Sequence, residues 1–184
     1  MEILYAFLPD LKAYHNGAID KDTDGIEHLG QVIEFLQDWF QATTEEISQL
    51  LSHGEITYEL LWALFKPNAT IYTTDQDSEQ PRCYLYDFGE HYNRKGQKYF
   101  EMACRSLHYD GKFFGEIQNF LKISEFRGAR KIKSLEAYPL QHHEEPQQLK
   151  ASLIMRGRKS ISLMGVVHCE FKGLAFYRVK GKGE

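Results

Sequence analysis

Residues 99–118 read YFEMACRSLHYDGKFFGEIQ. Two runs rich in aromatic and apolar side chains, Tyr99–Tyr109 and Lys112–Gln118, flank an Asp-Gly pair at positions 110 and 111. Glycine tolerates the positive φ that tight hairpin turns require, and Asp-Gly is a strong signal for such a turn. The stretch therefore predicts an antiparallel β-hairpin.

From residue 70 onward, the chain on both sides of this hairpin shows a β-like pattern that is interrupted by one helix. Runs of β-branched and aromatic residues bounded by turn residues indicate strands. Pro146 is suited to open a helix, because its missing N–H needs no partner at the first helical position. The predicted elements are strands at 70–74 and 82–88, a strand pair at 123–126 and 132–138, a helix at 147–155, and strands at 161–164, 166–171 and 174–179.

The first 68 residues have a helical pattern instead. Ile26, Leu29, Ile33, Leu36 and Phe40 recur at spacings of three and four and form one stripe of a helix. Two shorter helices are predicted at 43–53 and 57–66, the second stopped by a proline. We expect residues 8–18 to form a poor helix, because the segment contains a proline and a glycine.

These patterns predict one α+β domain over residues 1–184. A mainly helical part, 1–68, packs on a β-rich part, 69–184, whose mainly antiparallel sheet is open or closes partly into a β-barrel. Three scattered cysteines, Cys83, Cys104 and Cys169, form no disulfide framework and indicate a reducing compartment, so we expect an intracellular, cytoplasmic or nuclear protein. No apolar run reaches the length that a membrane span needs.

Charge is divided unevenly along the chain. Residues 1–60 carry 12 acidic and 2 basic side chains, whereas residues 61–184 carry 14 acidic and 20 basic ones. The basic side chains that we select as candidate binding residues fall in two clusters, Lys122, Arg127, Arg130, Lys131 and Lys133, and Arg156, Arg158 and Lys159. With Phe120 and Phe126 interleaved, they could bind single-stranded nucleic acid. Alternatively, both phenylalanines face the core, and the basic groups contact a protein, contact the acidic first 60 residues, or have no specific role.

Five short motifs occur in order along the chain. They are LWALFKPN at 61–68, YDGKFFG at 109–115, FRGA at 126–129, LEAYPL at 135–140 and RGRK at 156–159. In this order they resemble the uncharacterised domain that precedes the ATPase module in a large group of fungal AAA-type ATPases. The resemblance implies an N-terminal module that selects protein substrates or docks adaptors, with the ATPase module following beyond Glu184.

The motifs contain few residues suited to catalysis. A phosphate-binding loop needs Gly-Lys-Ser/Thr, but the lysine of Gly111-Lys112 is followed by a phenylalanine. We therefore expect no ATP hydrolysis by this chain, no enzymatic activity and no cofactor. The large apolar motif residues are predicted to be buried: Trp62, Phe65, Phe114, Leu135 and Leu140. The Arg-Gly pairs at 127–128 and 156–157 are predicted to form tight turns.

Two groups of residues are candidates for binding a metal ion. Asp20, Asp22 and Asp24 precede Gly25 in the spacing that opens an EF-hand calcium loop, but the twelfth position is Gln31, which cannot supply a bidentate carboxylate. Weak calcium binding is therefore a second alternative, beside an acidic loop that caps the following helix. Cys104 and His108 would share a strand face, but no four-ligand zinc spacing accompanies them, and no nucleophile turn frames the thiol.

Overall fold

The computed structural model describes residues 2–17, 23–75, 78–164, 168 and 170. Within these ranges no helix is both long and apolar enough to cross a membrane. The helices are α1 (Glu2–Gly17), α2 (Thr23–Trp39), α3 (Gln41–Ser52), α4 (Leu61–Leu64) and α5 (Pro146–Ser162).

The strands form two antiparallel sheets. They are β1 (Glu55–Thr57), β2 (Thr70–Thr74), β3 (Pro81–Arg94), β4 (Gln97–Tyr109), β5 (Phe114–Ser124), β6 (Ala129–Lys131) and β7 (Ala137–Pro139). Strands β1 and β6 pair as a small sheet, and the main sheet has the order β5-β4-β3-β2-β7. The α+β prediction is confirmed, and the main sheet is open.

The Asp-Gly hairpin is confirmed as β4–β5, with a longer loop than the sequence predicted. The Asp110 carboxylate accepts hydrogen bonds from the backbone N–H groups of Lys112 and Phe113, at 2.7 and 2.8 Å. These bonds lower the pKa of Asp110, because they stabilise its charged form. Gly111 has a φ of 103°, and β5 begins only at Phe114.

The prediction of a poor helix at 8–18 is wrong, because α1 is continuous through Pro9 to Gly17. Leu8 is buried against the stripe of α2, where Ile33, Leu36 and the following Phe40 are also buried. Burial of these side chains offsets the hydrogen bond that a proline removes from a helix. The α2 stripe itself is confirmed.

The predicted strand pair at 123–126 and 132–138 is wrong. Ile123 belongs to β5, the short β6 pairs with β1, and β7 pairs with β2. Between β6 and β7 the chain forms a turn of 3-10 helix, Ile132–Ser134. The strand predicted at 161–164 is also wrong, since α5 continues to Ser162; the two predicted strands after it lie outside the described residues.

The core lies between the helices and one face of the main sheet. Phe100, Met102, Cys104 and Ile123 are fully buried on this inner face. The ring of Phe65, which follows α4, stacks on Phe100 at 5.8 Å between centroids. Aromatic stacking of this kind adds to the stabilisation from burial.

The predictions for the motif residues have mixed outcomes. Burial is confirmed for Phe65, Leu135 and Leu140, whereas Trp62 is half-buried between two core clusters. Phe114 is exposed at the start of β5, so its predicted burial is wrong.

The two Arg-Gly pairs also differ. Gly128 has a φ of 69° and forms the predicted turn, but Gly157 lies within α5, so the turn predicted there is wrong. A helix accommodates a glycine at a modest cost, so an Arg-Gly pair does not by itself specify a turn.

Candidate functional site

Side chains of β3, β4 and β5 that point away from the core lie in cross-strand rows. Phe88 pairs with Ala103, and Ala103 pairs with Phe120, so the two phenylalanines flank the alanine on neighbouring strands. Leu85 lies in the next row, opposite Arg105, and Leu107 lies in the row after that. Both leucines are on the same face of the sheet as the phenylalanines. We call the surface made by these five residues the outer face.

The outer face exposes large apolar side chains next to one another. Phe120 is 57% exposed, Phe88 48% and Leu107 64%, whereas Ala103 between the two rings is only 2% exposed. Large apolar side chains exposed on one face of a sheet are candidates for an interaction site.

Ion pairs lie on both sides of the row formed by Phe88, Ala103 and Phe120. Lys122 contacts Glu101 at 3.1 Å and lies over the Tyr99 ring at 4.6 Å. On the other side of the phenylalanines, Arg105 contacts Asp87 at 3.0 Å and Glu116 at 3.8 Å. The strand register shifts between Tyr86 and Phe88, so Asp87 occupies a β-bulge. These two cations and three carboxylates are all held in ion pairs.

A groove runs between the outer face and α5. Its volume is about 900 Å³, and Leu85 and Leu107 line it together with Arg105 and, from α5, Leu153 and Arg156. Arg156 donates a hydrogen bond to the carbonyl of Pro81, which holds α5 against the start of β3. The groove extends the apolar surface towards α5.

The structure does not bring the eight basic candidates together. Lys122 borders the outer face; Arg130, Lys131 and Lys133 lie in and after β6; and Arg156, Arg158 and Lys159 lie on α5. Four of the candidates are paired with carboxylates: Lys122 with Glu101, Arg130 with Glu136 at 3.4 Å, Lys131 with Glu55 at 2.8 Å and Lys133 with Glu144 at 3.3 Å.

The pair between Lys131 and Glu55 joins the basic part of the chain to its acidic first 60 residues. It also lowers the pKa of Glu55, first through the hydrogen bond from the lysine and then through its charge. Arg127, Arg158 and Lys159 are exposed and have no carboxylate partner within the described part of the chain. The basic side chains therefore form separate groups, and four of the eight are paired with carboxylates.

The expectation that Phe120 and Phe126 both face the core is half correct. Phe126 is partly buried, and its ring contacts that of Tyr58 at 5.9 Å. Phe120 points to the outer face. The sequence analysis did not select three further apolar residues of the outer face, Leu85, Phe88 and Leu107. A signal for an exposed apolar face was present: Phe120 and Leu121 are adjacent apolar residues, and adjacent residues of a strand point to opposite faces.

Of the three aspartates of the calcium candidate, the structure describes only Asp24. Asp24 is exposed in the first turn of α2, and Asp20 and Asp22 lie outside the described residues. Cys104 is buried whereas His108 is exposed towards the end of β4. Among the described residues there is no group of three or more side chains suited to hold a metal ion.

The two described thiols are poor nucleophiles. Burial raises the pKa of Cys104 to about 12 and that of Cys83 to about 11, because a desolvated thiolate is unfavourable. Thiol chemistry needs the thiolate, so neither cysteine is suited to attack a substrate at neutral pH.

One family model matches this chain. The model of a domain of unknown function (DUF7025) matches residues 46–144, which contain β1 to β7 and every residue of the outer face. No curated protein and no solved structure matches the chain. Because the family model covers more than half of the 184 residues, the chain belongs to the DUF7025 family.

Proposed function

We propose that this chain is a non-catalytic recognition module that binds a protein partner through the outer face. The observation that carries the proposal is the exposure of Phe88 and Phe120 on either side of Ala103, between ion pairs formed by Arg105 and by Lys122. Protein interfaces have this anatomy, with an apolar, aromatic-rich centre and a polar, charged border.

The same observations favour a protein over a nucleic acid. Binding of single strands combines aromatic stacking with a positively charged groove that follows the phosphates. The aromatic rings are present here, but Lys122 and Arg105 beside them are paired with carboxylates. A phosphate backbone would have to displace these carboxylates before it gained any counterion release.

The resemblance to N-terminal domains of AAA-type ATPases supports a more specific proposal. In that setting the outer face would select protein substrates or adaptors, or contact the ATPase module itself, inside a reducing intracellular compartment. The weakly ionised thiols Cys83 and Cys104 and the missing phosphate-binding loop support a role without chemistry.

Selection from a peptide display library tests the proposal. The full chain is the bait, and the double variant F88S/F120S is the counter-bait, because serine removes both rings from exposed positions. Phe113→Ser is the matched control, since Phe113 is exposed but lies in the hairpin loop. Affinities of the enriched peptides are then measured by fluorescence anisotropy.

We expect enriched peptides that bind the wild-type chain and the F113S variant alike. The F88S/F120S variant should bind them at least about tenfold more weakly, since buried aromatic anchors dominate interface energies. Peptides that bind the double variant as well as the wild type would contradict the proposal, as would a selection that enriches none.

A further inference from the structure

Strand β5 forms an edge of the main sheet. It pairs with β4 along its whole length, from Phe114 opposite Tyr109 to Ser124 opposite Tyr99, and no other described strand pairs with it. The strand is 11 residues long, and it contains no proline and no bulge. An edge of this kind presents backbone groups that can pair with a further strand.

The charges of β5 are placed symmetrically. Its sequence from Phe114 to Ser124 contains one acidic and one basic side chain, Glu116 and Lys122. Both lie on the outer-face side, because their partners on β4, Leu107 and Glu101, do so. Each is three residues from Asn119, the midpoint of the strand.

Antiparallel pairing of two copies about a two-fold axis at Asn119 brings opposite charges together. Glu116 of each copy then faces Lys122 of the second copy, and such directly opposed pairs stabilise a sheet. A two-fold axis at either charged residue would instead place like charges opposite each other, which is destabilising. Among two-fold axes at residues of β5, only the one at Asn119 places both charges opposite a charge of the other sign.

The uncharged residues fit the same register. On the inner side, Ile117, which is exposed, faces the partly buried Leu121 of the second copy. On the outer side, Phe120 faces Gln118 and lies diagonal to Phe120 of the second copy, within reach of an aromatic side chain. Pairing would therefore cover apolar groups that are now open to solvent.

We propose that two copies of this chain associate by antiparallel pairing of β5 with β5, centred on Asn119. The two five-stranded sheets then form one sheet of ten strands. Because the two-fold axis is perpendicular to the sheet, both outer faces lie on the same side. The dimer would present two neighbouring copies of the proposed recognition surface.

Sedimentation velocity over a concentration series tests the association with the full chain. The wild type should reach twice the 21.5 kDa of one chain. The variants E116K and K122E each place like charges opposite one another, so the dissociation constant should rise by about tenfold or more. An equimolar mixture of the two should restore the dimer, because every β5 charge of one variant then faces an opposite charge of the other.

Lys112→Glu is the matched control, because Lys112 lies in the hairpin loop and not in β5. It should dimerise as the wild type does. Thermal melting of each variant checks that it is folded, and rescue in the mixture requires folded chains in any case.

Oxidative cross-linking tests the register. In a background with Cys83 and Cys169 replaced by serine and Cys104 by alanine, Asn119→Cys should form a disulfide-linked dimer, since directly opposed antiparallel residues have Cα atoms about 4.5–5.5 Å apart. Cys104 is replaced because it lies opposite residue 119 on β4 and would otherwise form an intramolecular disulfide. Ile117→Cys should not form the disulfide-linked dimer, because the two copies of residue 117 are offset along the strands. A wild-type chain that stays monomeric, a variant mixture that stays monomeric, or equal cross-linking at both positions would overturn the proposal.

Discussion

Gly89 shows how tightly β3 approaches the core. A Cβ atom at this position would lie 2.6 Å from Cζ and 2.9 Å from Cε1 of the Phe100 ring, and 3.0 Å from the Tyr86 hydroxyl oxygen. Phe100 is fully buried, and its ring stacks on Phe65. We expect Gly89→Ala to lower the free energy of unfolding by about 1–3 kcal/mol through overpacking.

Urea denaturation followed by circular dichroism measures this change. Gly115→Ala is the control, because Gly115 lies on β5 and no heavy atom comes within 4 Å of the added Cβ. The control should change the free energy of unfolding by less than about 0.5 kcal/mol. Equal effects at the two positions would show that the Phe100 ring does not constrain β3.

The hydroxyl group of Tyr58 is buried and has no hydrogen-bond partner within the described residues. Its ring contacts His91 at 4.9 Å and Phe126 at 5.9 Å, and burial raises the pKa of the hydroxyl group. A buried polar group without a partner is costly. Tyr58→Phe should therefore leave the stability unchanged or raise it, by up to about 1 kcal/mol.

A thermal melt of the Y58F variant beside the wild type checks this expectation. Tyr109→Phe is the comparison, since the Tyr109 hydroxyl donates a hydrogen bond to the carbonyl of Gly111 at 2.8 Å. A melting temperature that falls more for Y58F than for Y109F would mean that the Tyr58 hydroxyl has a partner.

Among the elements, α5 contains a glycine in an exposed helical position. Gly157 lies between Pro146 and Ser162, and a Cβ added there would meet no heavy atom within 4 Å. Alanine is a better helix former than glycine, so Gly157→Ala should raise the free energy of unfolding by about 0.5–1 kcal/mol.

Chemical denaturation measures this change, and Gly128→Ala serves as the comparison because it should have the opposite effect on stability. Gly128 has a φ of 69°, which disfavours side chains with a Cβ, so this change should destabilise the protein by about 1 kcal/mol. A destabilising G157A variant would indicate that α5 is not a continuous helix at residue 157.

Local sequence patterns were sufficient to predict some helices and strands but not others. The stripe from Ile26 to Phe40 predicted α2, and the Asp-Gly pair predicted the β4–β5 hairpin, because both signals lie within the element itself. Strands β6 and β7 pair with β1 and β2, which are distant in sequence. Nothing local identifies such partners, so residues 132–138 were predicted as one strand.

At the scale of the whole molecule, the helices cover the inner side of the sheet and leave much of its outer side open. Helix α5 lies beside the start of β3, and Phe88 and Phe120 stay exposed beyond it. Lys122 and Arg156 were selected from the sequence and do border this surface. Phe120 was also named from the sequence, whereas Leu85, Phe88 and Leu107 were not, because exposure of one strand face depends on where distant helices pack.

Mapping of a selected peptide by NMR shows whether the outer face is the binding surface. The amide shifts of the chain are followed during titration with a peptide obtained by display. We expect perturbations at Phe88, Ala103 and Phe120, which disappear in the F88S/F120S variant. Perturbations confined to the region around β1 and β6, with the amides of the outer face unmoved, would contradict this expectation.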